Sequence, residues 1–228
     1  MKTKAAILYE LGGPLRIEEV TVPCLGSGQV LVDVAFSGVC HTQLLEVRGK
    51  RGADRFLPHT LGHEGSGTVL EVGRGVTKVK PGEHVVISWI KGIGDDVPST
   101  VYKINDTTVN SGAVSTFMDC MVTCENRVTP IIDAMPLREA ALLGCAIPTG
   151  AGIVLNTAGL RDGSSVAVFG IGGVGLSAVL AASMTNCTTI IAIDVFDNKL
   201  EQARRGGATH VINARDRDPV AAVFGITA

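Results

Sequence analysis

The sequence predicts an α/β protein whose first part is all-β, and three observations carry that expectation. Through Trp89, short apolar runs are separated by Gly- and Pro-bearing punctuation, the pattern of a barrel-like set of strands. From Ser165 the pattern changes to strand, helix, strand, helix, strand, which is half of a doubly wound nucleotide-binding fold. At the first turn of that half lies Gly170-Ile171-Gly172-Gly173-Val174-Gly175, a match to G-x-G-x-x-G with a strand before it and a helix after it.

Taken in order, residues 4 to 9, 15 to 20 and 29 to 37 read as strands divided by Gly-Gly-Pro and Gly-Ser-Gly. Residues 42 to 47 predict a short helix with Cys40 at its N-terminal end, where the helix dipole favours a thiolate. Strands follow at 67 to 72 and 84 to 89, with Pro81-Gly82 turning the chain between them. The polar stretch 91 to 111 reads as an exposed loop or hairpin, and Cys120 to Cys124 as an apolar strand. Pro136 to Leu143 predicts a helix with Pro at its start, and Thr149 to Thr157 a second one. The nucleotide-type half then needs strands at 165 to 169, 188 to 194 and 210 to 213, with helices at 174 to 184 and 197 to 205. Gly206 reads as a weak point of the last helix, at about 1 kcal/mol relative to Ala. The domain boundary falls at 148/149.

Composition excludes several function classes. With 46% hydrophobic and 18% charged residues in 228, a core is well supplied and disorder is not expected. A net charge of -2 offers no bulk attraction to nucleic acid or to an anionic membrane. The longest apolar runs are too short to span a bilayer, and Met1-Lys2-Thr3-Lys4 leads into a strand rather than a signal-peptide core. A soluble cytoplasmic protein is expected. The six cysteines lack the spacing of a disulfide framework and are expected to be reduced; Cys24, Cys120, Cys124 and Cys187 read as buried structural thiols.

Two cysteines and one histidine stand apart. His63-Glu64 sits between Gly62 and Gly65, Cys40 follows the strand at 29 to 37, and Cys145 precedes a helix. Two thiolates and an imidazole from three separated segments form a Cys2His set, which leaves a fourth zinc position open for water or substrate. Downstream, Asp194 lies 19 residues after the last glycine of the G-x-G-x-x-G turn, where an acid accepts the ribose hydroxyls of NAD and repels the 2′-phosphate of NADP.

With these motifs in this order, the chain resembles the zinc-dependent medium-chain alcohol dehydrogenases, from about Lys4 to its last residue. The resemblance implies a GroES-like β-barrel catalytic domain at 1 to 148 and an incomplete Rossmann domain, a βαβαβ half, at 149 to 228. It implies one catalytic zinc on Cys40, His63 and Cys145, with NAD as hydride acceptor and a small alcohol or carbonyl compound as substrate. Thr42 takes the family's proton-passing hydroxyl position, and Glu64 the acid that approaches the metal. Gly170, Gly172, Gly173, Val174 and Gly175 take the cofactor turn, Val174 on the nicotinamide side; Thr149 contacts the nicotinamide, Lys199 the ribose and His41 the pyrophosphate. Trp89 falls where an aromatic residue lines the substrate pocket. A homo-oligomer is compatible with the resemblance, since family subunits commonly pair through nucleotide-domain strands.

The chain also departs from the family pattern. No cysteine lies between Cys40 and Cys120, so the four-cysteine lobe of a structural zinc is absent. Gln43 stands where an aspartate usually supports the zinc-bound histidine, and Leu45 where some members have a relay histidine. The second set of nucleotide-fold strands is missing after residue 228, which leaves the first strand with an apolar unpaired edge. The alternative reading is therefore a non-catalytic remnant that binds zinc and part of a nucleotide. A zinc-free reductase is disfavoured because all three ligand types are present.

Overall fold

Alternation of apolar and polar residues builds most of the first half. In chain order it contains β1 (Lys2–Leu8), β2 (Arg16–Thr21), β3 (Gln29–Ser37), α1 (His41–Val47), β4 (His59–Thr60), β5 (Glu64–Val72) and β6 (His84–Ser88). These are followed by β7 (Val101–Ile104), β8 (Thr107–Asn110), β9 (Cys120–Cys124), β10 (Val128–Pro130) and α2 (Leu137–Ala140). The computed structural model describes residues 1–228, and its contacts divide the chain into two units, Met1–Cys145 and Ala146–Ala228.

In the first unit β1, β2, β7, β8 and β4 close into a barrel, and a second sheet runs in the order β10-β6-β5-β3-β9. β1 shows why the barrel closes: Thr3, Ala5 and Ile7 are buried, Lys2 and Lys4 are exposed, and Ile7 faces Thr60 across the β1–β4 pair. Both sheets share one core, in which Ile7, Val20, Val30, Val32, Val69, Ile87 and Met121 are buried. The stretch expected to be an exposed loop or hairpin is a hairpin whose inward face is core. Tyr102 and Val109 are fully buried, and Asn105, with φ of 51°, makes the turn that lets β7 and β8 enter the barrel. Of the cysteines expected to be buried, Cys124 is, Cys120 and Cys187 are half-buried, and Cys24 is exposed; all six are free.

In the second unit α3 (Ala146–Gly152) runs into a π-helical turn at Ile153–Thr157, followed by β11 (Ser165–Phe169), α4 (Gly173–Ser183) and β12 (Thr189–Asp194). α5 (Asp197–Arg205), β13 (His210–Asn213) and α6 (Pro219–Thr227) complete it. The three strands are parallel in the order β11-β12-β13. β12, the central strand, is buried from Ile190 to Asp194, as a strand covered on both faces must be. α6 was not expected. Asp218 caps it by accepting from the Val220 N–H at 3.0 Å, Pro219 starts it, and Ala222, Val223 and Ile226 pack on the Ile191, Ile193 and Ile212 cluster. Gly206 is the C-cap of α5 rather than part of its interior, and Gly207, with φ of 104°, ends the helix, so neither weakens it as expected. No single helix is long and apolar enough to cross a membrane.

Candidate functional site

Three local devices bring Cys40, His63 and Cys145 together within the first unit. β3 ends at Ser37, and Gly38 then passes so close to Glu64 that a Cβ there would lie 2.6 Å from its carboxyl carbon. Cys40 follows as the N-cap of α1, its backbone N–H donating to Gln43 Oε1 at 3.3 Å. On the second segment Gly62 has φ of 94°, a conformation that suits glycine, and turns the chain so that His63 stands at the mouth of β5. On the third, Gly144 runs against the Ile87 carbonyl and the Glu64 backbone with no room for a side chain, while its own carbonyl accepts from Ser88 Oγ at 2.7 Å. Cys145 follows it directly.

The resulting ligand atoms all lie within 4.8 Å of one another, with His63 Nε2 3.2 Å from Cys145 Sγ. Donors bound to one tetrahedral zinc at about 2.0–2.3 Å sit closer than that limit, so small side-chain movements would bring the three onto a common ion. Their electrostatics point the same way. Burial raises the Cys145 thiol to about 11, and the charges of Glu64 and Cys40 add to the rise against an opposing hydrogen bond from Trp89. Burial, helped by the positive charge of Arg51, lowers His63, so its imidazole is neutral. Two thiols and a neutral imidazole gathered beside the Glu64 carboxyl are a donor set that suits a metal ion, whose binding would draw the thiols to thiolates.

The surrounding groups hold this set. Gln43 is buried, and its side-chain amide lies 2.5 Å from His63 Nδ1. As placed, Gln43 Nε2 faces Nδ1 while its Oε1 accepts from the Cys40 N–H; turning the amide to present Oε1 to an Nδ1–H, the tautomer that leaves Nε2 of His63 free as a ligand, gives up that bond. Thr42 Oγ1 is 3.6 Å from Cys40 Sγ and lines, with Gln43 and His63, a cavity of about 480 Å³. Glu64 is buried, and its carbonyl receives Ser37 Oγ, Gly38 N–H and Thr116 Oγ1. Trp89 is half exposed and stands edge-on to the His63 ring at 6.4 Å. Leu45 and His41 are exposed on α1. Arg51, Glu46, Asp54 and His59, which line the same cavity, escaped the sequence reading; a second histidine four residues before His63 was the available signal.

In the second unit the glycine turn is built as its motif requires. Gly170 has φ of 86°, Gly172 is the N-cap of α4, and a Cβ on Gly175 would lie 1.9 Å from the Gly170 carbonyl oxygen. Asp194, at the end of β12, accepts from the Ile171 N–H at 2.7 Å and from Val195 and Phe196 at 2.7 and 3.0 Å. Burial alone would raise its carboxyl, but these three donors and the Lys199 ammonium at 4.0 Å outweigh it and hold it below the usual range. So Asp194 first ties the glycine turn to β12, and only its remaining lone pairs face a ligand. Lys199 also sits 5.3 Å from the centre of the Phe196 ring. Gly173 starts α4, Val174 is exposed on its first turn, and Thr149 lies half-buried on α3.

Comparison with known proteins places both halves of the chain in one family. A family model described as the alcohol dehydrogenase GroES-like domain matches residues 26–133, and one described as zinc-binding dehydrogenase matches residues 173–228. The S-(hydroxymethyl)glutathione dehydrogenase of Photobacterium damsela subsp. piscicida is 37% identical, the match covering 96% of this chain and 66% of that protein. Its counterpart in Escherichia coli O6:H1 is 38% identical with the same coverage. Among solved structures, the alcohol dehydrogenase zinc-binding domain protein of Burkholderia ambifaria superposes with a TM-score of 0.91 at 32% identity, over 99% of this chain and 68% of that one. The benzyl alcohol dehydrogenase of Acinetobacter calcoaceticus gives 0.88 at 32% identity, over 100% and 68%. The chain thus spans about two thirds (66%) of the length of the curated relatives it matches.

Proposed function

Because this chain belongs to the zinc-binding medium-chain alcohol dehydrogenase family, with a GroES-like domain and a partial Rossmann-like region, we propose that it is an oxidoreductase transferring hydride between a small alcohol or its carbonyl product and NAD. One observation carries the reading: Cys40, His63 and Cys145, from three separated segments, present three ligand atoms within 4.8 Å of one another, and His63, with Thr42 and Gln43, lines a cavity. They would hold one zinc. Bound there, zinc supplies Lewis-acid polarisation of the substrate oxygen while the nicotinamide takes or gives hydride.

The remaining chemistry belongs to the chain's own side chains. Gln43 orients the His63 ring through Nδ1, and Thr42 Oγ1, beside Cys40 on the cavity wall, takes the substrate hydroxyl proton outward. Leu45 offers no next carrier on α1, so that proton leaves through cavity water rather than a histidine relay. Glu64 sets the negative potential that a cation at the cysteines answers. Trp89 forms an aromatic edge beside His63 and selects substrates with an apolar carbon frame. On the second unit, Gly170, Gly172, Gly173 and Gly175 let a pyrophosphate approach the N-terminus of α4. Asp194 and Lys199 take the adenosine ribose, Val174 and Thr149 serve the nicotinamide, and His41 supplies a basic group to the pyrophosphate. No four-cysteine structural zinc belongs to this reading, since no cysteine lies between Cys40 and Cys120. Six free cysteines fit a reducing, cytoplasmic setting.

The test is NAD+ reduction by the purified zinc-loaded chain with simple primary and benzylic alcohols. Turnover that Cys145→Ser abolishes supports the proposal. Zinc and NAD binding without turnover would replace it with a binding role, a reading that draws on the three-strand extent of the second unit's sheet.

A further inference from the structure

His59 is 5% exposed, and both of its ring nitrogens face acceptors. Nδ1 lies 2.8 Å from the Thr60 carbonyl oxygen, which can only accept, so the proton of a neutral ring sits on Nδ1. Nε2 lies 2.9 Å from Asp54 Oδ2, which also only accepts when ionised. The lone pair of a neutral imidazole would therefore point at a carboxylate. Either a second ring proton bridges the two atoms as an ion-paired hydrogen bond, or both turn to a cation held to one side of them.

Glu46 weighs on that choice. One ligand atom from each of Glu46, Asp54 and His59 lies within 4.8 Å of the other two, and Glu46 and Asp54 are half-buried beside the buried ring. A proton on Nε2 leaves two carboxylates sharing one positive charge. A divalent ion on a neutral ring balances both half-buried carboxylates, which a single ring proton does not. Arg51, the one guanidinium lining this cavity, is exposed and forms no ion pair with either acid. The Nδ1–H to backbone carbonyl bond is also the arrangement that fixes a ligating histidine in its tautomer and aims Nε2 at a metal.

We propose that Glu46, Asp54 and His59 form a second divalent-metal site, for a zinc-class ion held by one imidazole nitrogen and two carboxylates. Imidazole with carboxylate oxygens and no sulfur suits Zn2+, Co2+ or Mn2+ rather than Cu+ or Ca2+. Its place in the fold gives it a structural task. Glu46 lies on α1, whose N-cap is Cys40; Asp54 lies on the loop after α1; and His59 begins β4, four residues before His63. An ion here fastens the helix carrying one cysteine to the segment leading into the histidine, so it rigidifies the neighbouring centre without touching it.

The test is a titration of the chelator-stripped full chain with Zn2+ and with Co2+. The expected result is two equivalents per chain, only one of them accompanied by the near-ultraviolet thiolate-to-Co2+ charge-transfer band. Glu46→Gln and Asp54→Asn are expected to lose one equivalent and keep the band. The double variant Cys40→Ser/Cys145→Ser is expected to keep one equivalent without the band. A folded wild-type chain that binds a single equivalent carrying the full band overturns the proposal, and so does a second equivalent that survives both carboxylate variants. Wild-type chain without the band, yet losing an equivalent in Asp54→Asn, refutes the thiolate centre and leaves this site standing.

Discussion

Gln43 is the residue on which the thiolate centre turns. Its amide holds His63 through Nδ1, where the family's usual aspartate would add a negative charge to the ring's environment. Replacing Gln43 with Ala removes that contact and is expected to weaken zinc binding about 10- to 100-fold, while Gln43→Asp strengthens it; competition against a chelator of known affinity reads both. Asp194 carries a comparable burden in the second unit. With its carboxylate spent on three backbone N–H groups, Asp194→Asn should loosen the glycine turn as well as relax cofactor choice. The expected outcome is a loss of preference for NAD over NADP of at least about tenfold, or about 1.4 kcal/mol, measured by titrating each nucleotide.

Among the elements, the hairpin of β7 and β8 holds the barrel closed from within. Tyr102 is fully buried, and its hydroxyl accepts from the Val122 N–H at 2.8 Å, joining β7 to β9 across the core. Tyr102→Phe leaves that N–H without a partner and is expected to cost about 1–3 kcal/mol in urea unfolding. Burial also pushes the phenol up to about 12, against an opposing contribution from that bond. Since the folded value lies above the unfolded value of about 10, the stability it supplies is complete below pH 10 and is lost as pH climbs towards 12. The sequence made this hairpin visible through Asn105-Asp106 but not its burial, because on β8 Thr107, Thr108 and Asn110 outnumber Val109, and on β7 Lys103 interrupts the apolar residues. α6 was legible in Asp218-Pro219, a cap followed by a first-turn proline, yet its apolar residues lack a one-sided stripe and read as tail. The thiolate centre was legible for a different reason: two cysteines and a glycine-flanked His63-Glu64 stand in the order of the family's Cys2His set, while the close approaches at Gly38 and Gly144 that gather them show only in the fold. The Glu46, Asp54 and His59 cluster was not, since nothing in sequence shows that the loop between α1 and β4 folds an acid back onto the ring.

For the whole molecule, each unit hangs on one buried carboxylate that gathers backbone N–H groups. Glu125 receives Thr77, Lys78 and Asp95 in the first unit, and Asp194 plays that part in the second. In both, burial opposes ionisation, and the converging donors prevail, so the folded pKa lies below the ordinary value. The stability each contributes is present above the unfolded pKa of about 4 and is lost as pH falls through the folded value. An acid melt followed by tryptophan fluorescence, which reports only the first unit through Trp89, is expected to show unfolding below pH 4 that Glu125→Gln moves to higher pH. The central claim, however, is that Cys40, His63 and Cys145 share one metal ion. The measurement that bears on it most directly is the absorption of the Co2+-substituted chain and of Cys40→Ser and Cys145→Ser. A thiolate-to-metal charge-transfer band in wild type, cut by about half or lost in each variant, is the predicted result. A folded wild-type chain that takes up Co2+ without that band, or a band that survives intact in Cys145→Ser, would contradict it.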